Sequence, residues 1–157
     1  MRIVYLHGLK GKASNSKVDF LKDRGHIVMS PQIDYLNKNS FNDILTTSKS
    51  FMPDLIMGSS MGGFFALEIG KHLDVPVILF NPALHSRPFE PNVDTSGKYK
   101  PEIYLALGMN DYVIDPLKTI KEFSNNLVTT LKGNHNHKTP IEFFTKVFQN
   151  VRFFLYA

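Results

Sequence analysis

The stretch GSSMGG at residues 58–63 places two serines within a cluster of glycines. Ser60 and its flanking glycines match the pattern G-x-S-x-G, which is typical of a nucleophilic serine on a sharp turn between a strand and a helix. Small residues around the serine allow the crowded backbone to close. Shifting the frame to Ser59 would require glycine where the chain has Met57. Ser60 is therefore the candidate nucleophile, and the alternative is that it only caps a helix.

A nucleophilic serine needs a base, and the base needs an acid that orients it. Asp111 lies in a tight loop after an apolar stretch, whereas Asp115 precedes Pro116 and fits a helix N-cap better. Two histidines, His135 and His137, follow the next apolar stretch. We predict Asp111 as the acid and His135 as the base, because a catalytic imidazole is expected at the strand end rather than at the helix start.

The two histidines also fit an H-x-H metal pair. No third group of ligands is visible in the sequence, which has no cysteine. We therefore predict neither a metal nor a Cys-ligated zinc site.

Acyl transfer also needs donors for an oxyanion. The amide of Met61, at the start of the helix after the serine, is one natural donor. The second is expected from the loop LHGLKGK, where we assign the amide of Leu9 and give His7 a structural role in shaping the loop.

The same loop has a rival interpretation as a phosphate-binding loop. The pattern G-x-x-x-x-G-K-[ST] would require glycine at position 6 and Ser or Thr at position 13. The chain has Leu6 and Ala13 there. Both departures remove parts of the phosphate-binding mechanism, so we do not predict one.

Apolar runs alternate with amphipathic stretches along the whole chain. The last helix carries a row of apolar residues that runs to Leu155 and is expected to face the core. Strands that are continuously apolar and separated by helices predict a parallel sheet covered on both faces. The runs predict strands over 2–6, 26–30, 54–58, 75–80, 102–108 and 127–133, and helices over 14–24, 40–50, 61–72, 115–125 and from 139 onward.

Ligands of such sheets lie outside the carboxyl ends of the strands. The residues that directly follow the strands are therefore the ones expected at the site. On this ground we predict that Gly8, Asn81 and Pro82 contact substrate.

Length and composition fit one globular domain over residues 1–157. Hydrophobic residues make up 43% and charged residues 20%, and the net charge is +4. The lysines are scattered without a basic run, so we predict no nucleic-acid partner. No run of the sequence approaches membrane-spanning length. We expect a cytoplasmic protein with no membrane partner.

Taken in chain order, these motifs resemble the α/β-hydrolase superfamily, and within it the small bacterial esterases of the YqiA type. The resemblance rests on YLHG, GSSMGG, FNPAL, NDYVID and GNH, at 5–8, 58–63, 80–84, 110–115 and 133–135. It implies a three-layer α/β/α sandwich with a six-stranded sheet in the order 2-1-3-4-5-6. It also implies a triad of Ser60, Asp111 and His135 that hydrolyses a carboxylic ester or thioester without metal or organic cofactor.

The stretch after the fourth strand, 81–101, is where many relatives carry a cap domain. Here it leaves room for a flap only. His85, Arg87 and Phe89 lie in it and are either substrate contacts or solvated loop residues, and Arg87 would suit an anionic leaving group. Two other functions stay open: an acyltransferase or thioesterase with the same triad, and a non-catalytic binding protein on a hydrolase fold.

Overall fold

A computed structural model describes residues 1–156, with side chains as far as Arg152, so the predicted core contact of Leu155 lies outside the described side chains. Six parallel strands form one sheet in the order β2-β1-β3-β4-β5-β6, as predicted. The strands are β1 (Arg2–Leu6), β2 (Ile27–Met29), β3 (Leu55–Ser59), β4 (Val77–Phe80), β5 (Ile103–Gly108) and β6 (Val128–Gly133).

Five helices cover the two faces of the sheet. They are α1 (Ser16–Asp23), α2 (Ser40–Phe51), α3 (Met61–Leu73), α4 (Pro116–Glu122) and α5 (Ile141–Tyr156). The helices α1 and α5 pack on one face, and α2 and α3 pack on the other. This is the three-layer sandwich that the sequence predicts.

Alternate residues of each strand point to opposite faces, which divides the core in two. In β1, Val4 and Leu6 join the apolar cluster under α2 and α3, while Ile3 and Tyr5 join the cluster under α1 and α5. Both faces are buried, and this explains why the central strands are apolar throughout rather than at every second position.

The connection between β4 and β5 contains neither a helix nor a strand in the described chain. Within the described residues, no cap domain therefore stands over the carboxyl end of the sheet, as predicted. Within residues 1–156, no helix combines the length and the apolar character needed to cross a bilayer.

Because all six strands are parallel, their carboxyl ends lie at one edge of the sheet. Ser60 follows β3 near the middle of this edge, Asp111 follows β5, and the loop 134–140 follows the edge strand β6. The fold thus brings together residues that are far apart in the sequence.

Candidate active site

The turn between β3 and α3 carries Ser60 in a strained conformation, with φ 55° and ψ −115°. A Cβ atom at Gly62 would lie 2.2 Å from the carbonyl oxygen of Leu6, and one at Gly58 would lie 2.1 Å from the carbonyl oxygen of Gly62. Only glycine fits at these two positions, because the clashing atoms are backbone. The Ser60 side chain makes no capping bond to α3 in the described chain, so a role as helix cap does not explain this residue.

Backbone hydrogen bonds hold this turn from several sides. The Ser60 amide donates to the carbonyl of Phe80 on β4 (2.9 Å), and the Ser60 carbonyl accepts from the amides of Ala83 (2.9 Å) and Gly63 (3.0 Å). The backbone of Ser60 is thus fixed to β4 as well as to α3, and its side chain takes no part in holding the turn.

The imidazole of His137 lies between Ser60 and Asp111. Its Nε2 is 2.9 Å from Ser60 Oγ, and its Nδ1 is 2.8 Å from Asp111 Oδ2. A carboxylate only accepts hydrogen bonds, so Nδ1 carries the proton and Nε2 of the neutral ring accepts from the serine hydroxyl. This is the orientation in which a histidine can take the serine proton.

The prediction that His135 faces the serine is wrong, because His137 occupies that place. The reason is the distance across the sheet: β6 and β3 are separated by β5 and β4, which amounts to roughly 14 Å at the usual strand spacing. A residue only two positions beyond β6 does not span that width. Two more residues extend the reach by about 7 Å and bring His137 to the serine.

His135 packs beneath the loop instead. Its ring lies 4.5 Å from the ring of Phe143, between centroids, and so close to Gly108 and Gly133 that a Cβ at either glycine would come within 2.6 Å of it. Its Nε2 is buried and has no hydrogen-bond partner within the described residues. Burial lowers the pKa of His135, against an opposing effect of Asp111, and Lys17 lowers it further.

The two rings face different surroundings, so they do not form the H-x-H pair considered as a metal site. No group of three His, Cys, Asp or Glu side chains in the described part of the chain is placed to hold a metal ion.

Asp111 is held by its own loop. Its Oδ1 accepts from the amides of Val113 (2.8 Å) and Ile114 (2.9 Å), which leaves Oδ2 to face His137. The Asp111 side chain is 0% exposed, whereas that of His137 is 27% exposed. Asp115 instead accepts from the Leu117 amide (2.9 Å) as the N-cap of α4, which agrees with the sequence-based choice between the two acids.

The predicted substrate contacts of Asn81 and Pro82 do not fit the structure, because both residues are buried. The Asn81 carboxamide accepts from the Gly108 amide (2.8 Å) and donates to the His137 carbonyl (3.0 Å). Pro82 packs against Gly63, where a Cβ would approach it to 2.8 Å. The sequence identified the correct edge of the sheet but not the direction of these side chains.

The loop after β1 lies directly beside the nucleophile. A Cβ at Gly8 would lie 3.3 Å from the Ser59 carbonyl oxygen and 3.4 Å from Ser60 Cβ. His7 is buried and accepts the Ile33 amide at Nε2 (2.9 Å), so its Nδ1 donates to the Gly8 carbonyl (2.6 Å). His7 therefore holds the loop in place, which is the structural role that the sequence predicts.

The connection after β4 is tied down by Arg87. The guanidinium donates to the carbonyls of Ala83 and Leu84 and to the Glu90 carboxylate, and it lies 4.2 Å from the centre of the Phe64 ring. These bonds use four of the five guanidinium N–H groups, so the suggestion that Arg87 binds an anionic leaving group does not fit. His85 likewise contacts the Asp115 carbonyl at 3.2 Å.

A cavity of about 440 Å³ lies beyond the end of β2, against α2. None of its lining residues belongs to the group around Ser60. It is therefore separate from the candidate active site.

Solved structures similar to this one share its fold at low sequence identity. A Xanthomonas campestris protein assigned to the alpha/beta superfamily of hydrolases is 13% identical, with a TM-score of 0.77 and 96% of each chain covered. An a/b serine hydrolase without lid from the same species is 16% identical, with a TM-score of 0.70 over 99% of this chain and 83% of that one. The esterase domain of a Rhodothermus marinus protein is 14% identical, with a TM-score of 0.68 over 96% and 83%.

The chain therefore has the α/β-hydrolase fold, as the sequence motifs indicate. The model of the Uncharacterised protein family (UPF0227) matches residues 2–99, and the chain belongs to this family. No curated protein matches the sequence.

Proposed function

We propose that the protein is a serine hydrolase that cleaves carboxylic esters through Ser60, His137 and Asp111. The observation that carries this proposal is the continuous series of contacts from Ser60 Oγ to His137 Nε2 (2.9 Å) and from His137 Nδ1 to Asp111 Oδ2 (2.8 Å). The separations are those of a nucleophile, a base and an orienting acid in hydrogen-bond contact.

In the acylation step, Ser60 Oγ attacks the acyl carbon of the ester while His137 Nε2 takes the hydroxyl proton. The buried Asp111 carboxylate stabilises the imidazolium that forms. The tetrahedral intermediate collapses, the bond to the leaving oxygen or sulfur breaks, and His137 gives its proton to that atom. Water then attacks the acyl-enzyme by the same route in reverse and releases the acid.

The negative charge on the substrate oxygen needs donors beside Ser60. The amides at the start of an α-helix have no acceptor within the helix, and Met61 is the first residue of α3. A Cβ at Gly8 would lie 3.4 Å from Ser60 Cβ, so the loop after β1 runs beside the serine, and this supports the Leu9 amide as the second donor. We assign the oxyanion hole to these two amides.

The substrate class follows from the open site and from the similar structures. A similar structure is named as an esterase domain and another as a serine hydrolase without lid. No cap domain stands over Ser60 in the described chain, so little surface is available to enclose a long substrate. These observations favour small-molecule esters or thioesters.

The test is hydrolysis of p-nitrophenyl esters, from acetate to octanoate, by the wild type and by the Ser60→Ala variant. We expect the substitution to lower kcat by about 10³-fold or more, since triad members act as a unit. The matched control is Ser59→Ala, the same replacement one residue earlier, with kcat within about 3-fold of the wild type. A folded wild type that hydrolyses none of the esters, or a Ser60→Ala variant that keeps its rate, would contradict the proposal.

The same assay addresses acyl transfer. Adding an alcohol or amine acceptor during turnover divides the acyl group between water and the acceptor. A product ratio dominated by the acceptor at millimolar concentration would assign the triad to an acyltransferase instead.

A further inference from the structure

Asn81 is the first residue after β4 and one of the most buried polar residues of the molecule, at 1% exposure. Its backbone is left-handed, with φ 42°, which favours glycine or asparagine. The residue before it, Phe80, accepts a hydrogen bond from the Ser60 amide. Asn81 is therefore one residue away from a direct contact with the backbone of Ser60. A polar side chain in such a place requires partners, because an unpaired buried amide is costly.

The partners of Asn81 are on the two segments that carry the rest of the triad. Its Oδ1 accepts from the Gly108 amide at the end of β5, three residues before Asp111 (2.8 Å). Its Nδ2 donates to the carbonyl of His137 itself (3.0 Å) and lies 3.5 Å from Thr139 Oγ1. Among the described residues, this bond from Asn81 is the only hydrogen bond to the backbone of His137.

We propose that Asn81 is a positioning residue, which ties the His137 backbone to the end of β5 and so holds the imidazole between Ser60 and Asp111. This inference rests on the proposed function. The carboxamide is suited to the task because it offers one acceptor and one donor in a plane. Aspartate has nearly the same shape but presents a second acceptor to the His137 carbonyl.

Two variants separate this role from a general effect on folding. Asn81→Gly removes the side chain and tolerates the left-handed backbone. Asn81→Asp keeps the acceptor for Gly108 and loses the donor to His137 as long as the carboxyl is ionised. Asn92→Gly is the matched control, since Asn92 Nδ2 makes the same kind of bond to the Lys38 carbonyl (3.0 Å) on the surface.

On the p-nitrophenyl esters, we expect Asn81→Gly to lower kcat by about 10 to 100-fold and to change KM by less than about 3-fold, because the base is misplaced while substrate contacts remain. Asn92→Gly should match the wild type. Circular dichroism provides the folded fraction to which each rate is normalised. An Asn81→Gly variant with wild-type kcat would overturn the inference.

The pH dependence of kcat for Asn81→Asp distinguishes a positioning role from a merely structural one. A protonated carboxyl donates a hydrogen bond and reproduces the pattern of the amide. The ratio of kcat for Asn81→Asp to kcat for the wild type should therefore rise as the pH falls, while the ratio for Asn81→Gly stays constant. Parallel ratios for the two variants would overturn the inference, and if Asn81→Gly does not fold, the Asn81→Asp profile decides alone.

A crystal structure of Asn81→Gly, or of Asn81→Asp at alkaline pH, distinguishes failure of this inference from failure of the proposed function. If the wild type hydrolyses no ester, the proposed function fails, but the positioning role still predicts that Nε2 of His137 moves from 2.9 Å to beyond about 3.5 Å from Ser60 Oγ. An unchanged distance would contradict the role of Asn81 whatever the activity.

Discussion

The turn that carries Ser60 and the loop 134–140 that carries His137 supply the two reacting groups of the proposed site, yet they are built differently. In the turn, local backbone crowding leaves room only for glycine at Gly58 and Gly62. In the loop, the position of His137 depends on residues distant in the sequence: Asn81 binds its carbonyl and Asp111 binds its ring.

This difference explains why one group is recognisable from a short motif and the other is not. A turn fixed by steric crowding requires small residues next to the serine, and these are visible as a short sequence motif. A loop fixed by long-range hydrogen bonds requires no particular neighbouring residues, so two histidines of the same loop can have different environments. His137 faces the serine, whereas His135 packs on Phe143.

The largest effect is expected from breaking the anchor of the loop at Asp111. In Asp111→Asn, the amide no longer stabilises the imidazolium and favours the wrong tautomer of His137, so kcat should fall by about 10³ to 10⁴-fold. Steady-state kinetics on p-nitrophenyl acetate measures this. A loss of less than 10-fold, roughly 1.4 kcal/mol, would show that Asp111 does not act on the base.

The next effect concerns the turn. Gly62→Ala places a Cβ against the backbone oxygens of Leu6 and His7 at 2.2 and 2.5 Å, and we expect a loss of about 3 kcal/mol in the free energy of unfolding. Gly25→Ala is the control: its φ is 82° but nothing lies within 4 Å of the added Cβ, so only backbone strain of about 1 kcal/mol is expected. Urea denaturation compares the two, and equal losses would show that crowding does not define the turn.

A smaller effect distinguishes the two acids that follow β5. Asp115→Ala removes the N-cap of α4 and should lower the free energy of unfolding by about 1 kcal/mol. Its kcat should stay within about 3-fold of the wild type, because Asp115 binds the Leu117 amide rather than a histidine. An Asp115→Ala variant that is stable but inactive would assign the role of the acid to Asp115 instead of Asp111.

The smallest effect is a change in how stability depends on pH. Burial lowers the pKa of His135 in the folded protein below the ordinary value of 6.5. As the pH falls below about 6.5, the unfolded chain therefore binds more protons at His135 than the folded protein does. The free energy of unfolding decreases over that range as a result. Urea midpoints of the wild type and His135→Ala between pH 7.5 and 5.5, conditions chosen around the histidine pKa, should show a shallower decline in the variant; equal slopes would contradict it.

Much of the fold is legible in the sequence, because both faces of the sheet are buried and the strands are apolar throughout. The strand order adopted is the one that the family resemblance implies. The choice of Ser60 over Ser59 follows from the glycine spacing, and Asp115 is set apart by the Pro116 that follows it. These features are short-range, and local residues suffice to predict them.

The remaining features depend on reach and direction, which the sequence does not display. Choosing between His135 and His137 requires the width of the sheet between β6 and β3. The roles of Asn81 and Arg87 require knowing that both side chains turn inward to bind backbone carbonyls. The buried place of Asn81 directly after a strand was compatible with a substrate contact until its partners were known.

The most direct test of the central claim compares the two histidines in the same assay. On the p-nitrophenyl esters, we expect His137→Ala to lower kcat by about 10³-fold or more. The kcat of His135→Ala, corrected for folded fraction, should stay within about 5-fold of the wild-type value. An inactive His135→Ala variant beside an active His137→Ala variant would contradict the account and return the role of base to His135.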